Sequence, residues 1–109
     1  MTGLTRFGRA PETVAATGTT IANAAALTGP AVVVTGGNGT TGVQLPDLAV
    51  GETILVHSDG GATKLYPHSS TGKINAGSAG ANVVVAADET AILFRFSATD
   101  WYGGVAVTF

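Results

Sequence analysis

Two histidines and seven carboxylates are the residues with which this chain could bind a metal ion or transfer a proton. His57 and His68 are the histidines, and Asp47 and Asp59 are the carboxylates that could in principle join them in a metal site. Imidazole and carboxylate groups form metal sites when their spacing brings three or four of them together. The spacing here matches no common ligand pattern, so we expect histidines at a surface or interface and neither a metal ion nor a cofactor.

A glycine-rich loop, residues 37–42, matches the dinucleotide-binding pattern G-x-G-x-x-G. That chemistry requires a helix to begin at the loop, because the helix N-terminus binds the pyrophosphate. The segment Val43–Pro46 follows instead and has no helical pattern, so we predict an ordinary loop in which Asn38 forms a turn. Thr71-Gly72-Lys73 resembles the end of a phosphate-binding loop but lacks its first glycine, and we predict a turn there too.

No residue shows the surroundings of a catalytic nucleophile. Cysteine is absent, and no serine stands in a G-x-S-x-G elbow. We therefore expect no catalytic residues and no enzymatic activity. The single aromatic pair, Trp101-Tyr102, has two interpretations: a lid on the core with its polar atoms bonded to the backbone, or an anchor of a contact surface.

The chain contains few charged residues, 11% against about 25% in typical globular domains. None lies between Glu12 and Asp47, and the net charge is −2. Without a basic stripe, nucleic-acid binding is not expected. The uncharged stretch from Thr13 to Thr35 is rich in Ala and Thr rather than Leu, Ile and Phe, so we expect no membrane span. A small protein with so few charges is expected to cover part of its surface with copies of itself.

Short apolar runs separated by Gly, Pro, Asn and Asp predict an all-β fold. We expect a compact antiparallel β-sandwich with about eight or nine short strands, and a jelly-roll-like arrangement is one form that such a sandwich takes. Residues 1–18 are predicted to be an N-terminal arm or extended lead-in, and residues 19–109 a single domain. Asp59-Gly60 predicts a tight hairpin between the strands at 52–57 and 63–66. The strand at 90–96 places Ile92, Phe94 and Phe96 on one face.

The order of these pieces between Gly42 and Tyr102 resembles a module that recurs in small virion proteins of tailed bacteriophages. The pieces are Val43–Pro46, Gly51–Val56, Asp59-Gly60, Tyr66-Pro67, Gly72–Asn75, Phe94–Phe96 and Trp101. The chain departs from the module in having Ser58-Asp59-Gly60 where Asn-Gly-Ala is more usual, and a longer loop from Pro67 to Gly72. The family comprises capsid decoration, or cement, proteins and head-fibre modules.

The resemblance implies a virion structural protein, made in the bacterial host cytoplasm and located on the capsid surface. Its expected form is a homotrimer, and its expected partner is the major capsid protein. The arm would bind the capsid through Arg6, Phe7 and Arg9, although a frayed terminus is an equal alternative. The alternative function is a head-fibre or tail-fibre module that binds host-surface glycans. The candidate surface contacts in that case are Tyr66, His68, Trp101 and Tyr102.

Overall fold

A computed structural model describes residues 11–107 of the chain, and all of its regular structure is β. The ten strands are β1 Glu12–Ala15, β2 Ala25–Ala26, β3 Ala31–Thr35, β4 Gly42–Gln44, β5 Thr53–Ser58, β6 Thr63–Tyr66, β7 Lys73–Ile74, β8 Val83–Val85, β9 Thr90–Arg95 and β10 Asp100–Val107. The all-β prediction is confirmed. Within residues 11–107, no helix has the length and apolar character needed to cross a membrane.

The strands form two sheets whose strand directions are mixed. The large sheet has the order β1-β3-β5-β9-β10-β7, and the small sheet has the order β2-β4-β6-β8. Five of the eight pairings between described strands are parallel, and β5–β9, β9–β10 and β6–β8 are antiparallel. The sheets are therefore mixed rather than antiparallel as predicted, and β1–β4 pair only with parallel strands, unlike the strands of a jelly roll.

The first six strands alternate between the two sheets, and this alternation explains the parallel pairing. Strands β1, β3 and β5 lie side by side in the large sheet, while β2, β4 and β6 lie side by side in the small one. Each pair of consecutive strands is one turn of a flattened coil, so equivalent strands run in the same direction. Strand β8 then pairs with β6 in the small sheet, and β9 pairs with β5 in the large sheet; both of these pairings are antiparallel.

One hydrophobic core lies between the sheets. The large sheet contributes Val34, Ile54, Leu93 and Trp101, all fully buried, and the small sheet contributes Val43, Leu65 and Val85, buried to the same extent. Burial of apolar area contributes about 25 cal/mol per Å², so these side chains are the main source of the protein's stability.

The predicted hairpin needs correction because the chain crosses from one sheet to the other. The turn at Asp59-Gly60 does not close a hairpin, since β5 belongs to the large sheet and β6 to the small one. Gly60 has a φ of 88°, which suits glycine, but the turn leads across the core. Residues 12–15, within the segment predicted as an arm or extended lead-in, form β1 at the edge of the large sheet.

Glu12 fixes β1 to the rest of the fold. Its carboxylate accepts hydrogen bonds from the backbone N–H groups of Thr28 and Gly29 at 3.2 and 3.1 Å, and from the Thr28 hydroxyl at 2.6 Å. β1 pairs with β3 from Glu12 opposite Val32 to Ala15 opposite Thr35. The predicted arm anchors Arg6, Phe7 and Arg9 lie outside the described residues.

Candidate functional site

The outward side of the large sheet carries the most exposed cluster of aromatic residues in the described chain. In β9, the buried residues Ala91, Leu93 and Arg95 alternate with outward residues, so Ile92 and Phe94 point away from the core. Tyr102 lies opposite Phe94 on β10, and Leu55 lies opposite Ile92 on β5. The predicted shared face of Ile92 and Phe94 is thus the outer one, and Phe96, just beyond the end of β9, lies against Phe94.

Three rings on this face contact one another. The ring centroids of Phe96 and Tyr102 lie 5.7 Å apart with their planes at 89°, and those of Phe94 and Phe96 lie 6.5 Å apart at 61°. Edge-to-face geometry at these distances is favourable for aromatic pairs. Phe96 is nevertheless 64% exposed, and Phe94 and Tyr102 are 40% and 42% exposed. We call the surface formed by Leu55, Ile92, Phe94, Phe96 and Tyr102 the aromatic face.

The outward positions of β3, β5 and β9 are uncharged, whereas β10 carries Asp100 on the same side as Tyr102. The outward positions of β3, β5 and β9 are Ala31, Val33, Thr35, Thr53, Leu55, His57, Thr90, Ile92 and Phe94, with no Asp, Glu, Lys or Arg among them. Exposed apolar patches of this kind mark interaction sites more often than ordinary surface. The face is suited to binding another apolar surface.

A buried arginine lies at the opposite side of the same strand. Arg95 is only 7% exposed, and its guanidinium donates hydrogen bonds to the main-chain oxygens of Ser97 at 3.3 Å and Ala98 at 2.6 Å. It also donates to the Leu48 carbonyl and to the carboxylate of Asp47, with which it forms an ion pair. Five N–H groups in a fixed fork suit arginine to joining several loops at once.

His68 and Trp101 lie against this arginine. The indole Nε1 of Trp101 donates to Nδ1 of His68 at 3.0 Å, and Nη2 of Arg95 lies 3.0 Å from His68 Nε2. The guanidinium carbon lies 5.9 Å from the centre of the Trp101 ring, within range of a cation–π contact. Because indole and guanidinium groups only donate, a neutral imidazole can accept from just one of them and an imidazolium from neither.

The pKa values in this cluster follow from that geometry. The pKa of His68 lies below its ordinary value, mainly because burial removes water from the imidazolium and also because Arg95 is positive; Asp47 and the Ala98 carbonyl oppose this. The hydrogen bond from Arg95 and its positive charge hold the pKa of Asp47 below its usual range. His68 is therefore neutral and Asp47 ionised at neutral pH.

The four candidate surface contacts divide into interior and exposed residues. Trp101 is fully buried and Tyr66 is 5% exposed, so the expectation that they lie at a surface is corrected. Their polar atoms are used internally, since the Tyr66 hydroxyl donates to the Thr19 carbonyl at 3.0 Å. His68 is half-buried, and Tyr102 alone is exposed on the aromatic face. Of the two interpretations of Trp101-Tyr102, the core lid describes Trp101 and the contact surface describes Tyr102.

The glycine-rich loop serves packing. β4 begins at Gly42, in agreement with the absence of a helix predicted from sequence. Asn38 Oδ1 accepts hydrogen bonds from the backbone N–H groups of Thr40 and Thr41 at 3.0 and 3.1 Å, which is the predicted turn. Gly37 lies directly against Gly61: a Cβ added to Gly61 would stand 1.9 Å from the Gly37 carbonyl oxygen.

Three titratable side chains approach one another at the end of β5. Ligand atoms of His57, Asp59 and Asp88 all lie within 4.8 Å of one another. His57 and Asp59 were among the ligands considered from the sequence, although their spacing fits no metal-binding pattern, whereas Asp88, from the turn before β9, was not. His68 and Asp47, the other residues considered, lie instead around Arg95.

Sequence reasoning missed the aromatic face as a surface and Arg95 as a buried residue. The alternation of residues in β9 is visible in the sequence and shows that Ala91, Leu93 and Arg95 share the face opposite to Ile92 and Phe94. It could not show which face is buried, since the outward residues are the more apolar ones.

Comparison with known proteins adds no relative: no family model, no curated protein and no solved structure matches the chain.

Proposed function

We propose that this protein is a tailed-bacteriophage virion protein, a homotrimeric capsid decoration protein that binds the outer capsid surface and stabilises it. The observation that carries the proposal is the exposed aromatic cluster of Phe94, Phe96 and Tyr102, beside outward positions of β3, β5 and β9 that carry no charge. The sequence resemblance over Gly42–Tyr102 supplies the virion context, and the major capsid protein is the expected partner.

An apolar face with few charges supports assembly of identical copies. When such a face is buried around a three-fold axis, any charge on it loses its water or comes close to its equivalents in the other copies, and either effect opposes association. The outward positions of β3, β5 and β9 avoid both effects. Aromatic side chains are also enriched among residues that dominate binding energy in interfaces.

Assembly would in turn strengthen binding to a capsid. Three linked copies present three identical contacts, and after the first contact forms, the others form at a high effective concentration. Modest contacts from each copy therefore suffice for a decoration protein. The described residues that line this face contain no arrangement of base and nucleophile, and the proposal requires no chemistry.

Mass measurement by light scattering tests the assembly step. We expect the wild-type protein to have three times the monomer mass, and Phe96→Ser and Tyr102→Ser to shift it toward monomer. Val84→Ser is the matched control, because Val84 is 49% exposed on the small sheet and away from this face. A monomeric wild-type protein, or variants with unchanged mass, would contradict assembly through the aromatic face.

Co-sedimentation with expanded capsids of the parent phage tests the partner. We expect saturable binding of the wild-type protein and weaker binding of the Phe96→Ser variant. Absence of capsid binding together with binding on a glycan array, lost in Tyr102→Ser, would replace the proposal by the fibre-module alternative.

A further inference from the structure

We propose that His57, Asp59 and Asp88 form a binding site for one divalent transition-metal ion, with zinc as the preferred ion. The inference is independent of the proposed virion function. The three residues come from the end of β5, the turn that follows it and the turn that precedes β9. Their ligand atoms lie within 4.8 Å of one another although Asp88 is far from the other two in sequence.

Backbone hydrogen bonds hold the two turns together in the absence of any ion. Ser58 accepts from the backbone N–H of Asp88 at 2.7 Å and donates its own N–H to the Glu89 carbonyl at 3.0 Å. The N–H of Gly60 donates to Oδ1 of Asp88 at 3.0 Å, which links the turn containing Asp59 to the one containing Asp88. The backbone positions of the three ligands are therefore set by the fold itself, and mainly side-chain rotations remain for the ion to impose.

The histidine ring is also oriented. Nδ1 of His57 lies 2.9 Å from the hydroxyl oxygen of Thr90, and this contact holds the ring in place. A hydrogen bond of this kind commonly fixes the orientation of a metal-binding imidazole.

The charges of the group favour a dication. Within residues 11–107, neither Asp59 nor Asp88 forms an ion pair with a lysine or arginine, although their carboxylates are close together. A divalent ion would neutralise both carboxylates and remove their mutual repulsion. The imidazole nitrogen favours zinc over magnesium and calcium. Imidazole is a good ligand for zinc and other late first-row transition metals, whereas magnesium and calcium prefer oxygen ligands.

The distances fit zinc after a small adjustment. Zinc–ligand bonds of about 2.0–2.1 Å in tetrahedral geometry separate neighbouring ligand atoms by about 3.4 Å. Asp59 and Asp88 are both exposed, so their side chains can close the remaining gap by rotating. Water would complete the coordination.

Titration calorimetry of the untagged, EDTA-treated full chain with ZnCl2 tests the site, with MnCl2, MgCl2 and CaCl2 as comparisons. We expect one zinc ion per chain and a rise in melting temperature with zinc. Asp88→Asn is the most informative variant. Its amide oxygen can still accept from Gly60, and asparagine tolerates the left-handed conformation of this position, where φ is 62°. We expect at least a tenfold loss of zinc affinity in Asp88→Asn, Asp59→Asn and His57→Gln.

Glu89→Gln is the matched control, because it removes a carboxylate next to Asp88 that is outside the three-residue group. We expect this variant to bind zinc as the wild-type protein does. No zinc binding by the wild-type protein would overturn the proposal. Equal affinity in wild type and the three site variants would also overturn it, by placing the ion elsewhere, and tighter binding of calcium or magnesium than of zinc would contradict the role of His57.

Discussion

The indole Nε1 of Trp101 donates a hydrogen bond to Nδ1 of His68 at 3.0 Å, and this bond joins β10 of the large sheet to the segment that follows β6 of the small sheet. The bond requires an unprotonated Nδ1, because the indole N–H can only donate. The two sheets are thus connected by a contact that depends on the charge state of one imidazole.

Stability should therefore decrease in mild acid because of His68. Its pKa in the folded protein lies below the unfolded value of 6.5, so the unfolded chain binds the proton more readily. The contribution is fully present above pH 6.5 and is lost as the pH falls from there through the lowered folded pKa. Urea unfolding at pH 7.5 and pH 5.5 measures this difference.

The matched variant for this prediction is His68→Gln, which removes the titrating group and leaves the other histidine in place. We expect its free energy of unfolding to change less between the two pH values than that of the wild-type protein. An identical change in both proteins would show that the pH dependence has another source. The Asp47 contribution is separate, since it is lost only below about pH 3.8, where the unfolded carboxyl group protonates.

Arg95 should matter more for stability than its ion-pair partner. Arg95→Met leaves the carbonyls of Leu48, Ser97 and Ala98 without their donor. We expect a loss of about 2–3 kcal/mol, comparable to one or two hydrogen bonds to a charged group. Asp47→Asn should have a much smaller effect, because the Asp47 side chain is 79% exposed and water screens the pair. Chemical denaturation of both variants at pH 7.5 compares them, and an equal loss would contradict a main-chain role for Arg95.

The approach of Gly61 to Gly37 predicts a local packing effect. Gly61→Ala would force the backbone of residues 36–38 and 60–62 apart, since the new Cβ would overlap the Gly37 carbonyl. We expect a loss of about 1–3 kcal/mol or more, the range found for overpacked cores. Gly29→Ala is the control, because the nearest atoms to its Cβ would be at ordinary contact distances of 3.6–3.9 Å. A lower urea midpoint for Gly29→Ala than for Gly61→Ala would be inconsistent with this geometry.

Strand positions were largely predictable from the sequence, and strand partners were not. The strand predicted at 63–66 has the bounds of β6, and those predicted at 52–57 and 90–96 differ from β5 and β9 by at most one residue at each end. Alternation describes only the two faces of one strand, and parallel and antiparallel neighbours satisfy it equally. The direction of β4 relative to β6 depends on crossovers between sheets, which local turn signals do not encode.

The candidate sites were less predictable because they depend on tertiary contacts. Asp88 joins His57 and Asp59 only because the turn before β9 lies beside the end of β5. Likewise, Arg95 occupies an inward position that hydrophobicity assigns to an apolar residue, and its burial depends on acceptors from Asp47–Leu48 and Ser97–Ala98. Neither arrangement has a spacing that a sequence pattern could detect.

Two N-terminal truncations distinguish the residues of the predicted arm that stabilise the fold from those predicted to bind the capsid. A chain of residues 11–109 keeps β1 and the three hydrogen bonds to the Glu12 carboxylate, so we expect it to fold and assemble normally. A chain of residues 16–109 loses β1 and exposes the edge of β3, so we expect a lower melting temperature.

If Arg6, Phe7 and Arg9 bind the capsid, the 11–109 chain should keep its assembly mass and lose co-sedimentation with expanded capsids. Full-length protein carrying Arg6→Ala and Arg9→Ala should show the same loss, whereas undiminished capsid binding by the 11–109 chain would exclude the arm from the contact.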